Sequence, residues 1–122
     1  AKEIQDLAVD GGGPLYKFIA RSAAEQWNTH GNCCLMVGAT YPEELAEVRA
    51  IADDLPILVA GIGAQDGHLA KTVRGGLDSR GRGLIMNASR SIIFASRGDD
   101  FAEAARRKAE ELHGAIGHAL LQ

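Results

Sequence analysis

The sequence predicts an α/β fold in which short parallel strands alternate with helices. Three apolar runs indicate the strands: "CLMVGAT", "PILVAGIG" and "GLIMNAS", at residues 34–40, 56–63 and 83–89. None of them alternates between apolar and polar residues, which is typical of a strand buried on both faces. Each segment between two runs has helical periodicity, so the order predicts a parallel sheet with right-handed helical connections.

The helices are indicated by spacing and by their terminal residues. The first is predicted over residues 14–28, where Pro14 suits a first turn after a glycine run. The second is predicted over residues 41–55, with Thr40 as its candidate N-cap. A helix at 66–79, a short helical turn at 89–96 and a long amphipathic helix at 99–122 complete the predicted elements.

Composition and charge exclude several other classes of protein. The 122 residues suffice for one domain, and 46% hydrophobic with 24% charged residues is ordinary globular composition. A formal net charge of -3 offers no basic excess for nucleic acid, and the apolar runs are too short to cross a bilayer. We therefore expect a single domain over residues 1–122, without a nucleic-acid or membrane partner. No apolar signal-peptide core stands near residue 1, so the expected location is the cytoplasm.

The cysteines do not indicate a disulfide framework or a metal site. Cys33 and Cys34 are adjacent, and adjacent cysteines rarely bridge each other. His30 stands nearby, but one His-x-x-Cys-Cys is a weak metal signal. We expect no metal and no cofactor, and we expect Cys34 to pack as a small apolar strand residue.

The loops that follow the strands carry the candidate binding residues, because ligands of parallel α/β folds bind at the carboxyl ends of strands. Glycines let backbone N–H groups approach an anion, and a helix that starts at Ser89 would add its free N–H groups. Arg90 supplies a guanidinium fork and Gln65 a neutral donor. These features favour a phosphate site. Its candidate residues are Gly61, Gly63, Gln65, Ser89 and Arg90, with Thr40 and Asn87 as possible lining residues.

Each of these features also has a plainer interpretation. A lone Gly-x-Gly is more often a tight turn than a ligand loop, a single arginine is more often a surface charge, and Thr40 suits a helix cap. No nucleophile–base pair and no paired acid and base stand at the predicted strand ends. The residues alone therefore indicate a phosphate-binding segment without a catalytic group.

Three motifs in register resemble one enzyme family. "LMVGATYPEEL", "ILVAGIGAQDG" and "LIMNASRSIIFAS", with "EIQDL…PLY" before them, are similar to the C-terminal portion of orotidine 5'-phosphate decarboxylase in its longer bacterial branch. The resemblance covers essentially the whole chain. It implies the C-terminal part of a (β/α)8 TIM barrel, strands six to eight with their helices. It also implies a homodimeric carboxy-lyase that converts orotidine 5'-monophosphate to UMP and CO2 in pyrimidine biosynthesis, without a cofactor.

The same resemblance implies roles for particular residues. Gln65 and Arg90 match the glutamine and arginine that hold the substrate phosphate, while Gly61, Gly63 and Ser89 would line the same pocket. The family's catalytic Asp and Lys array lies in the N-terminal half of the barrel, which these 122 residues do not include. The resemblance thus implies no catalytic residue here, an inactive isolated chain, and the N-terminal half-barrel as partner. One departure is Ala60, where the family usually has proline.

Two alternatives remain open. One is a non-catalytic phosphate or nucleotide binder that associates through its strand edges. The other is a segment of a different sugar-phosphate barrel enzyme. In either case, three parallel strands with two free edges predict association with a partner or marginal stability.

Overall fold

In the computed structural model of the chain, residues 2–9, 11, 13–62 and 68–121 are described. The strands are Ala8–Val9 (β1), Gly13–Pro14 (β2), Leu35–Gly38 (β3), Ile57–Ala60 (β4) and Leu84–Asn87 (β5). The helices are Lys2–Gln5 (α1), Leu15–Ser22 (α2), Pro42–Ala52 (α3), Leu69–Gly76 (α4), Arg90–Ile93 (α5) and Phe101–Leu120 (α6). A π-helical turn, Ala23–Trp27, extends α2.

The predicted parallel α/β arrangement is confirmed. β3, β4 and β5 form a parallel sheet in that order, connected by α3 and α4, while β1 and β2 form a separate antiparallel pair. Each central strand is shorter than its apolar run because the chain turns away from the sheet after Gly38, Ala60 and Asn87. Those three residues are register partners across the sheet. The loops that follow them therefore all leave the sheet side by side at the carboxyl ends of the strands.

The prediction that these strands are buried on both faces is wrong. Ile57 and Val59 are completely buried beneath the helices, whereas Met36 and Ile85 on the opposite face are 74% and 51% exposed. Alternate residues of a strand point to opposite faces, so the helices cover one face only. The runs lack alternation because the uncovered face, hereafter the bare face, is also built of apolar residues.

The hydrophobic core lies between the covered face and the helices. Leu45 and Val48 of α3, Val73 of α4 and Leu112 of α6 form a cluster with the β4 side chains. α4 approaches the sheet closely at Gly76, its last residue, where an added Cβ would lie 2.7 Å from Cδ2 of Leu84. The glycine at which this helix ends is thus also a point of close packing. Among the described helices, none combines the length and the apolar character that a membrane crossing requires.

Two local predictions at the start of the first βα unit are wrong. Thr40 does not cap α3, because Tyr41 occupies the N-cap position and makes no side-chain capping bond. Pro42 lies in the first turn, where a missing N–H costs nothing. Cys34 is exposed and precedes β3 rather than packing within it. The strand begins one residue later because Leu35 is the first residue that pairs with β4.

A buried arginine organises the amino ends of the strands. Arg49 of α3 is 7% exposed. Its Nε donates to the carbonyl of Gly76 at 2.7 Å, and its Nη1 donates to those of Asp53 at 2.6 Å and Leu55 at 2.7 Å. Its Nη2 donates to the carbonyl of Gly83 at 3.1 Å. One guanidinium therefore ties the ends of α3 and α4 to the segments that enter β4 and β5.

Candidate anion-binding cleft

A cleft of about 540 Å³ lies at the carboxyl ends of β4 and β5. It forms there because Ala60 and Asn87 are register partners, so the loops after these two strands begin side by side. Its described lining residues are Ala60, Gly61, Ile62, Asn87, Ala88, Ser89, Arg90 and Ser91.

The loop after β4 begins with a glycine that its backbone requires. Gly61 has φ +85°, a conformation that residues with a side chain rarely adopt. A Cβ at this position would meet no described atom within 4 Å, so the space beside it is open. The glycine therefore serves the sharp exit from β4 and leaves room in the cleft for a ligand.

The loop after β5 supplies the polar groups. Ser89 occupies the N-cap position of α5, and its carbonyl accepts hydrogen bonds from the N–H groups of Ile92 at 3.1 Å and Ile93 at 2.8 Å. Its hydroxyl donates to Oδ1 of Asn87 at 3.3 Å. α5 has only four residues, so it offers only one turn of backbone N–H groups. Attraction of an anion to this cleft therefore depends chiefly on the side chain of Arg90.

The charge of the cleft is positive. Arg90 is exposed and is the only charged side chain among the described residues that line it. No described carboxylate lines the cleft with it, so an anionic ligand would meet an uncompensated guanidinium. Among the described residues, no group of three or more His, Cys, Asp and Glu side chains is placed to hold a metal ion.

The structure brings together four of the residues that the sequence nominated, namely Gly61, Asn87, Ser89 and Arg90. Gly63 and Gln65 lie outside the described residues. Thr40 does not join the group, because it lines a second cleft beside β3.

That second cleft, of about 490 Å³, follows the free edge of β3 and was not anticipated from the sequence. Its walls come mostly from apolar residues of α2 and β3, including Leu15, Ile19 and Met36. At its border the hydroxyl of Tyr16 donates to the carboxylate of Glu47. Burial and this bond raise the pKa of Tyr16 above its ordinary value. The only signal for the cleft was the unpaired strand edge, which does not say which side chains surround it.

A parallel sheet with helices on one face, an apolar bare face and a cleft at the strands' carboxyl ends is the arrangement of consecutive βα units in a (β/α) barrel. No protein-family model matches the chain. The chain is 48% identical over 119 residues to orotidine 5'-phosphate decarboxylase of Cellvibrio japonicus (strain Ueda107), and 51% identical over 114 residues to that of Azoarcus sp. (strain BH72). These matches cover 98% and 93% of this chain.

Solved structures give the same result. The OMP decarboxylase of Leishmania donovani superposes with a TM-score of 0.73 at 37% identity, over 95% of this chain and 43% of that chain. The UMP synthase of Leishmania donovani superposes with a TM-score of 0.73 at 40% identity, over 93% of this chain and 25% of that chain. The chain is therefore a homologue of the orotidine 5'-phosphate decarboxylases. It spans 43% and 42% of the length of the two curated relatives named above.

Proposed function

We propose that these residues form the substrate-phosphate-binding part of an orotidine 5'-phosphate decarboxylase, which converts orotidine 5'-monophosphate to UMP and CO2 in pyrimidine biosynthesis. The observation that carries the proposal is the cleft at the ends of β4 and β5, whose one described charge is Arg90. The curated relatives that are 48% and 51% identical to this chain bear that enzyme's name.

In the proposed site the guanidinium of Arg90 holds two phosphate oxygens, and the open space beside Gly61 receives the phosphate. Ser89 and Asn87 line the same cleft. Gly63 and Gln65, outside the described residues, are proposed to complete the site, with the Gln65 amide as a further donor. The phosphate is remote from the carboxylate that leaves, so its binding energy lowers the barrier by holding the substrate and the loops in the reactive arrangement.

The chemical step itself is assigned to residues outside this chain. We propose that β3, β4 and β5 correspond to strands six to eight of the barrel, and that its other βα units cover the bare face. The exposure of Met36 and Ile85 supports the proposed cover, because apolar side chains on a sheet face require one. An Asp and Lys array on those other units would carry out the decarboxylation, so the 122 residues alone would be inactive.

The proposal also includes a homodimer and a cytoplasmic location. Phe94, directly after α5, and Phe101, the first residue of α6, have exposed aromatic side chains, and we propose that a second subunit covers them. Cys33 and Cys34 are free thiols, which is usual for a reducing compartment.

A chimaeric enzyme tests the proposal directly. In it, this chain replaces the matching 119-residue segment of the Cellvibrio japonicus enzyme. We expect the chimaeric enzyme to decarboxylate orotidine 5'-monophosphate. We expect Arg90→Ala to lower its kcat/KM by about 10- to 100-fold, because a hydrogen bond to a charged group contributes about 1.5–3 kcal/mol. The measurement is the rate of CO2 release at varied substrate concentration.

Arg97→Ala is the matched control, since Arg97 is an exposed arginine on the segment after α5 that does not line the cleft. It should leave kcat/KM within twofold, on the order expected for a surface substitution. A folded but inactive chimaera, or equal losses for the two variants, would contradict the proposal. Turnover by the 122 residues alone would contradict the assignment of the chemical step to other units.

A further inference from the structure

We propose that Asn87, oriented by Ser89, is a specificity-determining residue that recognises the nucleoside part of the ligand rather than its phosphate. The inference rests on the proposed function, because it takes the cleft to be the nucleotide site. Beyond that function, it assigns to the cleft a hydrogen-bond donor that distinguishes a nucleoside monophosphate from inorganic phosphate.

Register places the Asn87 side chain relative to Arg90. Asn87 is the last residue of β5 and pairs with Ala60 of β4. It lies two residues after Ile85, and residues two apart on a strand share a face, so Asn87 belongs to the bare face. Arg90 follows three residues later, beyond the end of the strand, as the first residue of α5. A ligand whose phosphate lies at Arg90 therefore directs its remainder along the strand end, toward Asn87.

The hydrogen bond within this loop fixes what Asn87 can offer. The Ser89 hydroxyl donates to Oδ1 of Asn87 at 3.3 Å. This bond engages the acceptor of the amide and leaves Nδ2, which carries two N–H groups, for the cleft. Among the described residues, no hydrogen bond from Nδ2 is present, although Asn87 lines the cleft. The group presented to a ligand is thus a neutral donor, which suits an uncharged oxygen that can only accept, such as the ring oxygen of ribose.

Ser89 is accordingly a positioning residue that acts through Asn87. Without its hydroxyl the amide can turn its oxygen toward the cleft, where it would repel the acceptor oxygen of a sugar. Threonine keeps a hydroxyl on the same carbon atom, so Ser89→Thr preserves the bond that alanine removes. A purely structural role for Ser89 would not depend on the hydroxyl in this manner.

The test is competitive inhibition of the chimaeric enzyme by two probes, UMP and inorganic phosphate. We expect Asn87→Ala to raise the inhibition constant of UMP by roughly fivefold, the effect of one neutral hydrogen bond, and to leave that of phosphate unchanged. Asn87→Asp should weaken UMP further, because a carboxylate cannot donate. Ser89→Ala should weaken UMP and spare phosphate, and Ser89→Thr should restore the binding of UMP.

Arg90→Ala separates this inference from the proposed function. It should weaken UMP and phosphate alike, and if it weakens neither, the phosphate site itself is wrong. If Arg90→Ala weakens both probes while Asn87→Ala weakens neither, the phosphate site stands and the inference about Asn87 is overturned. Equal losses of UMP and phosphate in Asn87→Ala would also overturn it, because they would place Asn87 at the phosphate.

Discussion

Single residues at the two ends of the strands perform different tasks. Arg90 lies at the carboxyl end, exposed and facing a cleft, whereas Arg49 is buried at the amino end and donates to four carbonyl groups. Arg90 could be predicted from the sequence because ligands of parallel α/β folds bind at the carboxyl ends of strands, and Arg90 directly follows a predicted strand. The role of Arg49 could not be predicted, since two of its partners, Gly76 and Gly83, are distant along the chain.

Replacement of Arg49 should destabilise the sheet. Burial lowers the pKa of Arg49, while the carboxylates of Asp78, Asp54 and Asp53 act in the opposite direction. We expect Arg49→Met in the chimaeric enzyme to lower the free energy of opening of β4 and β5 by about 3 kcal/mol, because buried carbonyls lose charged donors. Native-state amide exchange in those strands measures the change. Arg82→Met, at an exposed position, is the control, and equal exchange in the two variants would contradict this role.

The charge of Asp78 should make the free energy of unfolding depend on pH in the acidic range. Its carboxylate, 1% exposed, accepts the N–H groups of Arg80 and Arg82, both at 2.9 Å. Burial acts to raise its pKa, but those two N–H groups and the Arg80 guanidinium together hold the pKa below its ordinary value of 3.8. The charged form is thus favoured in the fold. Its stabilisation is complete above that ordinary value and is lost as pH falls through the lower folded pKa.

The prediction concerns Asp78→Asn, which keeps the shape but removes the charge. We expect the variant to be less stable than the parent chimaeric enzyme at pH 7, and the difference to shrink as the pH falls below about 4. Urea unfolding at pH 2 to 7 measures it. Asp99→Asn, at an exposed position, is the control. A difference that stays constant over this range would show that the charge of Asp78 does not matter.

Local sequence pattern predicts the helices and strands closely, but it predicts only part of how these elements pack together. The three central strands were predictable because each is a distinct continuous apolar run, and their helices because each spans several residues of helical periodicity. The short α1 and the β1–β2 pair, of four and two residues, leave too little pattern to detect. The sequence predicts that the bare face is buried, because its apolar composition shows that the face needs a cover but not which element provides it.

The packing of α4 against β5 depends on the absence of a side chain at Gly76. A Cβ there would lie 2.7 Å from Leu84 Cδ2 and 3.1 Å from Leu45 Cδ2. We expect Gly76→Ala to lower the free energy of unfolding of the chimaeric enzyme by about 1–3 kcal/mol, the usual cost of overpacking. Gly114→Ala in α6 is the matched control, since no described atom lies within 4 Å of its Cβ. It should be neutral or stabilising by up to about 1 kcal/mol. Thermal unfolding of the two variants compares them, and equal effects would contradict the packing account.

At the scale of the whole molecule, the bare face determines the behaviour of the isolated chain. Met36 and Ile85 stand exposed on a sheet whose outer strands both lack a neighbour among the described strands. Such a surface favours association, so we expect the 122 residues alone to sediment as larger than a monomer. The double variant Met36→Lys with Ile85→Lys should shift the population toward monomer.

Leu120→Lys is the control for this prediction, because Leu120 is a similarly exposed apolar residue at the end of α6. It should leave the association unchanged. A stable monomer of the unaltered chain, with slow amide exchange in β3 and β5, would contradict the account of the bare face.

The central claim is that the cleft between the ends of β4 and β5 holds the phosphate of a pyrimidine nucleotide. A crystal structure of the chimaeric enzyme with UMP tests it most directly. The account predicts phosphate oxygens within hydrogen-bond distance of the Arg90 guanidinium, about 2.7–2.9 Å for such a charged pair. A phosphate bound elsewhere, with Arg90 in contact with solvent alone, would contradict it.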